Sequence, residues 1–173
     1  MGPARSVMQE TSSPPTPVET LGIGARLLAY AGGTPHRTFV LYPLAIVAGR
    51  MLATRGHPNF AWPYLALFAW GYLQYRLCGT YRRSQGAGGR GMKILPTKLM
   101  TTGPYAITRN PMYLGHLIAM LGIALFSRSR LALALPVGSA LWFDSRVRRD
   151  EDRLAALFGD PYRDYLSLVP RWL

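Results

Sequence analysis

The apolar positions of this chain fall into four blocks, with polar residues confined to the links between them. The blocks are Thr38–Ala53 (TFVLYPLAIVAGRMLA), Phe60–Cys78, Pro111–Phe126 and Leu131–Phe143. None alternates with the period of a half-buried strand. Each is hydrophobic all round, which on a helix means burial in a core or in lipid rather than a water-facing surface. The pattern predicts an all-α chain of about four helices. Blocks of 13–16 residues would suit buried core helices, and the last two are shorter than the roughly 20 residues of a straight membrane span. A second pattern decides between the two environments: no Asp or Glu occurs from Thr20 through Phe143. Four apolar blocks without one carboxylate predict a polytopic membrane protein with about four transmembrane helices.

The links agree with that reading. TRGHPN joins the first two blocks, and SRSR permits only a tight hairpin between the last two. Trp62, Tyr64, Trp70, Tyr72 and Tyr75 suit an interfacial aromatic belt. Pro43 lies inside the first block, and Arg50 near its end can snorkel to the interface. Residues 1–20 are rich in Ser, Thr and Pro and read as a disordered tail. No signal peptide is expected, because the apolar h-region is missing. Leu21–Ala31 reads as a short interfacial helix, with Arg26 and Arg37 beside headgroups. Residues 21–173 are thus expected to form one membrane domain. Nothing in the chain is read as a small-xxx-small pairing pattern, so the oligomeric state stays open.

The net charge of +12 would suit nucleic acid in a soluble protein. Here the basic residues flank apolar blocks, as at anionic headgroups, and no face is left for a phosphate-tracking groove. Membrane lipids, not nucleic acids, are the expected partners. Arg82, Arg83, Arg90, Lys93 and Lys98 precede the third block, and Arg146, Arg148, Arg149 and Arg153 follow the fourth. With four spans both groups fall on one side with the N-terminus, and the positive-inside rule makes that side cytoplasmic. SQGAGGRG reads as a flexible link; it lacks the flanking strand and helix of a phosphate-binding fingerprint. Cys78 is the lone cysteine and the three histidines are scattered, so no metal centre is expected.

The chemistry concentrates in two stretches on either side of the last two blocks. The first, GPYAITRNPMYLG at Gly103–Gly115, contains a Gly-Pro turn and then Asn110-Pro111, a helix start with Asn as N-cap and Pro at the first position. The positive helix end and Arg109 favour an anionic group there. The second, RVRRDEDRLAALFGDPYRDYLSLVPR at Arg146–Arg171, holds nearly all the acids of the chain: apart from Glu10 and Glu19, every carboxylate lies among Asp144, Asp150, Glu151, Asp152, Asp160 and Asp164. Arg146 and Asp150 are four apart on one helix face and can pair. Phe158-Gly159 reads as a helix end with a glycine C-cap. Beyond it Tyr162, Tyr165, Val169 and Trp172 space out an amphipathic tail able to lie against a membrane.

Together the two stretches resemble the membrane methyltransferases, a group that includes isoprenylcysteine carboxyl methyltransferase and the phospholipid methyltransferases; the resemblance covers about Lys93–Leu173. It implies a methyl transfer from S-adenosylmethionine to a lipophilic, membrane-resident acceptor at the cytoplasmic face. It implies that Thr97, Lys98, Leu99 and Met100 line the adenosine and that Tyr105 touches the cofactor. The family's Arg-His-Pro-x-Tyr corresponds to Arg109, Asn110, Pro111, Met112 and Tyr113, and its glutamate pair to Asp150-Glu151, with Asp150 on the cofactor. Arg146 corresponds to a substrate-side arginine, and Arg109 and Tyr113 shape the pocket beside it. Asn at 110 removes a titratable group, so a histidine-dependent proton step is excluded there; Asp at 150 shortens the reach but keeps the charge. The RDE and FG..Y..Y...VPR segments also resemble the tail of the NADPH-dependent sterol reductases. Those carry HPNY where this chain has NPMY and are longer. A non-catalytic membrane scaffold is the third reading.

Overall fold

The computed structural model describes residues 32–87 and 96–173. The expected tail at 1–20, the interfacial helix at Leu21–Ala31, and the positions of Arg90 and Lys93 lie outside these residues. Thr34–Leu173 forms one compact unit. Every regular element described in it is helical, as the apolar blocks predict.

Five helices carry the architecture: α1 (Tyr42–Ala53), α2 (Leu65–Ser84), α3 (Pro111–Phe126), α4 (Ala134–Phe158) and α5 (Asp160–Leu168). α1 is entered through a helical turn, Thr34–His36, and a π-helical stretch, Arg37–Leu41. Pro43 explains the widening. It has no N–H for the carbonyl four residues earlier, and its ring crowds that carbonyl. The Tyr42 N–H bonds instead to Arg37 O, five residues back.

α3 is the buried centre, with Pro111, Gly115, His116, Ala119, Met120, Gly122, Ile123, Ala124 and Phe126 all enclosed. It packs on α2 almost backbone to backbone. A Cβ added at Gly71 would lie 2.5 Å from Ala119 N and from Gly115 O, and one at Gly122 would lie 2.5 Å from Phe68 N. Gly115 and Ala119 are therefore a small-xxx-small pair after all, facing Gly71, which corrects the expectation that the chain lacks one. Phe39, from the π-helical stretch, stacks on His116 at 4.9 Å and meets Tyr75 at 5.3 Å, tying the first helical segment to this pair.

The spans need a correction. Helices stand at all four expected places, but no helix among the described residues is long and apolar enough to cross a membrane. α1 is only 12 residues beyond its π-helical entrance, and α3 is 16. α2 has 20 residues but carries Arg76, Arg82 and Arg83. α4 does not end with its apolar block at Phe143; it continues unbroken through the charged segment to Phe158.

The end of α4 is where the sequence places it. Gly159, at φ +62°, receives the chain and donates its N–H to Ala155 O. The tail beyond departs from expectation. Tyr162, Tyr165 and Val169 do not form an outward face but a buried cluster with Leu99, Leu154 and Phe158. Tyr162 and Tyr165 are three apart on one face of α5, Val169 follows the helix end, and α4 supplies Leu154 and Phe158 against them.

Candidate active site

The two chemical stretches meet. Gly103–Ala106 forms one 3₁₀ turn beneath α2. Gly103 sits at φ +61° with Tyr81 so close that an added Cβ would lie 2.7 Å from its ring, so only glycine fits. The Tyr81 hydroxyl shares a hydrogen bond of 2.8 Å with the Thr102 hydroxyl. Tyr105 is buried with Met100 and Ala87. Its backbone carbonyl accepts a 2.6 Å hydrogen bond from the Tyr165 hydroxyl on α5. Burial pushes both phenols up to about 12.

The next residues are sewn to the end of the tail. Arg109 N–H donates to Pro170 O at 3.0 Å, while the Thr108 hydroxyl and the Asn110 amide both donate to Arg171 O at 3.1 Å. α3 starts at Pro111 as expected, but the Asn110 side chain makes no capping bond; it is spent on Arg171 O.

Side-chain charges close the same seam. Glu151 takes Arg171 at 2.7 Å and Arg109 at 3.3 Å. Arg171 also reaches Asp144 at 3.4 Å, and the Trp172 indole N–H donates to Asp144 at 3.1 Å. Hydrogen bonds from Arg148 and Trp172 hold the Asp144 carboxyl below the usual carboxylate range. Sequence reasoning did not place Arg171, Trp172, Thr108 or Tyr165 at the site; it read Trp172 and Tyr165 only as parts of an amphipathic tail. The only signal for Arg171 is its place at the end of the VPR motif; the others contribute through contacts that no spacing announces.

Asp150 is different from its neighbours. It is buried, and its arginines stand off: Arg146 at 3.8 Å and Arg153 at 3.7 Å. Its Oδ2 is enclosed and has no hydrogen-bond partner. Burial raises its carboxyl above the usual range, against the pull of Arg146, Arg153 and Arg149. An enclosed carboxylate oxygen without a donor fits a ligand that brings its own donors, such as an ammonium or a hydroxyl. Tyr113 is close by, its hydroxyl against the Arg146 guanidinium and its ring 4.6 Å from Phe143.

The remaining residues of interest divide. Leu99 joins the Tyr162–Tyr165 cluster and Met100 the Tyr105 cluster. Thr97 is exposed and donates to Gly86 O at 2.8 Å, and Lys98 is exposed as well. Among the described residues no group of His, Cys, Asp and Glu is assembled to hold a metal ion.

Comparison with known proteins matches residues 65–160 to the phospholipid methyltransferase family. The protein-S-isoprenylcysteine O-methyltransferase of Schizosaccharomyces pombe is 32% identical over 123 residues, covering 65% of this chain and 50% of that protein. The nickel-cobalt-cadmium resistance protein NccN of Alcaligenes xylosoxydans xylosoxydans is 31% identical over 75 residues, covering 43% of this chain and 35% of that protein. The chain thus spans half the length of one curated relative and about a third of the other. No solved structure matches. The matched segment runs from the first residue of α2 through the acidic half of α4, and so takes in both the glycine seam and Asp150: the chain belongs to the phospholipid methyltransferase family.

Proposed function

We propose that this protein is a membrane-embedded, S-adenosylmethionine-dependent methyltransferase acting on a lipophilic acceptor. The observation that carries the reading is Asp150, a buried carboxylate whose Oδ2 lacks a donor within the family-matched segment. S-adenosylmethionine, when bound, supplies an electrophilic methyl carbon on a sulfonium. The chain's own task is to hold and align, since near-attack geometry and exclusion of water are what such a displacement needs. Asp150 accepts from the cofactor's amino group. Tyr105, Asn110, Pro111, Met112 and Tyr113, with Thr97–Met100, are the positions that the family resemblance assigns to the cofactor. Glu151 and Arg109 act through their mutual ion pair, fixing the stretch of chain that carries Asn110. Arg146 orients the acceptor's polar end, and Phe143 and Trp142 keep water away. Carboxylate acceptors would need no general base, which agrees with the absence of a histidine at position 110.

The proposed bilayer setting rests on apolar surface. Leu52, Trp62, Trp70, Leu77, Leu131, Val137 and Leu141 are all largely exposed, more than a water-facing unit of this size ordinarily leaves uncovered. The charged seam then lies at the headgroups, on the cytoplasmic side by the positive-inside rule.

Calorimetric titration of the detergent-purified chain with S-adenosylmethionine tests the reading. Saturable binding that Asp150→Ala weakens by about tenfold or more is expected, given the strength of a charge-assisted hydrogen bond. Full binding by a folded Asp150→Ala variant, or none by the wild type, overturns it.

A further inference from the structure

A cleft of about 280 Å³ lies between the first helical segment and the apolar half of α4, lined by Arg37, Thr38, Tyr42, Gly138, Ser139, Trp142 and Phe143 among others. Its far wall comes from residues ahead of the family-matched segment, so the family match says nothing about it. Among the described residues the lining contains one formal charge, Arg37, and no carboxylate. The Arg37 guanidinium lies over the Trp142 ring at 5.9 Å, and the Arg146 guanidinium lies over the same ring at 5.5 Å. In both arginines the Nε is enclosed and has no hydrogen-bond partner. Arg146 is loosely offset by Asp150 at 3.8 Å, whereas no ion pair is formed by Arg37 among the described residues. Two guanidinium groups lie over one indole, each with an enclosed Nε that has no hydrogen-bond partner. That is an anion-binding arrangement.

The surroundings describe the rest of the ligand. The cleft is too small for a whole lipid, and both walls continue into exposed apolar side chains: Val40, Leu41 and Leu44 on one, Val137 and Leu141 on the other. An acyl or prenyl chain leaving the cleft would run along these. Trp142, Arg146 and Asp150 stand four residues apart in succession, so the cleft and the orphaned carboxylate share one face of α4.

We infer that this cleft takes an amphiphile with an anionic head, carboxylate or phosphate, held by Arg37 beside Trp142, and that Arg37 selects for the negative charge. As the class of methyl acceptor this rests on the proposed function; the binding itself does not. Gly138 offers a clean probe. It lines the cleft, nothing lies within 4 Å of a Cβ added there, and leucine is a better helix former than glycine, so Gly138→Leu adds apolar bulk at the cleft, with a thermal melt to check the fold.

The experiment measures binding of oleate, oleoyl lysophosphatidate and oleyl alcohol to the full purified chain, corrected for partitioning into protein-free micelles, alongside S-adenosylmethionine. One or both anions should bind the wild type at least about tenfold tighter than the alcohol, and the tighter anion names the head. Arg37→Gln should abolish that preference, and Gly138→Leu should weaken all three probes, with S-adenosylmethionine binding unchanged in both. Equal binding of anions and alcohol, a preference surviving in Arg37→Gln, or full amphiphile binding by Gly138→Leu overturns the inference. A wild type that selects anions but binds no S-adenosylmethionine supports the cleft and sinks the methyltransferase reading alone.

Discussion

Asp150 and Glu151 are adjacent carboxylates with opposite situations. Glu151 is saturated by two arginines, while Asp150 keeps an enclosed oxygen with no donor and a carboxyl raised by burial. A raised folded-state value means the unfolded chain releases this proton first on going up in pH. Keeping Asp150 charged therefore costs stability at neutral pH, and the cost disappears on acidification through the raised value. Ligand binding runs the other way, since a cationic amino group needs the carboxylate. Asp150→Asn should consequently melt no lower than the wild type at neutral pH while losing S-adenosylmethionine binding. In the wild type that binding should fall on acidification at a pH above the ordinary aspartate range. Paired melting and titration series check both. The sequence made Asp150, Arg146 and the Asn110-Pro111 start legible, because carboxylates are rare and Pro fixes a helix entrance. It could not show that the Asn110 side chain serves Arg171 O rather than its own helix, since that bond joins residues 61 apart.

Among the elements, the α2–α3 pair depends most on residues that carry no side chain. Backbone atoms, which cannot move aside as a flexible side chain can, lie within 2.5 Å of a Cβ added at Gly71 or Gly122. Gly122→Val should cost about 3 kcal/mol or more, at the upper end of overpacking. Gly49→Ala, in α1 with nothing within 4 Å, should be neutral or stabilising by up to about 1 kcal/mol. Thermal melts of the two variants in one detergent separate the cases. Helix positions were readable from uniform apolarity, and α3 runs over the same residues as its block. Boundaries failed where the cause was tertiary or lay in a single ring. The π-helical entrance follows from Pro43, and the inward turn of Tyr162 and Tyr165 follows from the surface offered by α4.

At the scale of the whole molecule, large apolar side chains are left uncovered, as the proposed bilayer setting requires. α3 is enclosed, yet α1, α2 and the first half of α4 leave large apolar side chains uncovered, with Leu52 81% and Leu141 69% exposed. At about 1.5 Å per residue, α3 reaches about 24 Å, short of the roughly 30 Å hydrocarbon layer. The full chain reconstituted with phosphatidylcholine vesicles should float with them and resist alkaline carbonate extraction. Release by carbonate would mean that it lies on the membrane rather than in it.

The hydrogen bonds from Thr108, Arg109 and Asn110 to Pro170 and Arg171 also have a meaning in time. A ribosome completes every apolar block, the glycine seam and Asp150 well before it reaches Arg171, but the stretch that carries Asn110 has nothing to fasten to until then. A chain cut before Pro170 keeps all the residues of α1–α5 but none of these bonds. On the proposed function, such a chain should bind S-adenosylmethionine more weakly than the full chain.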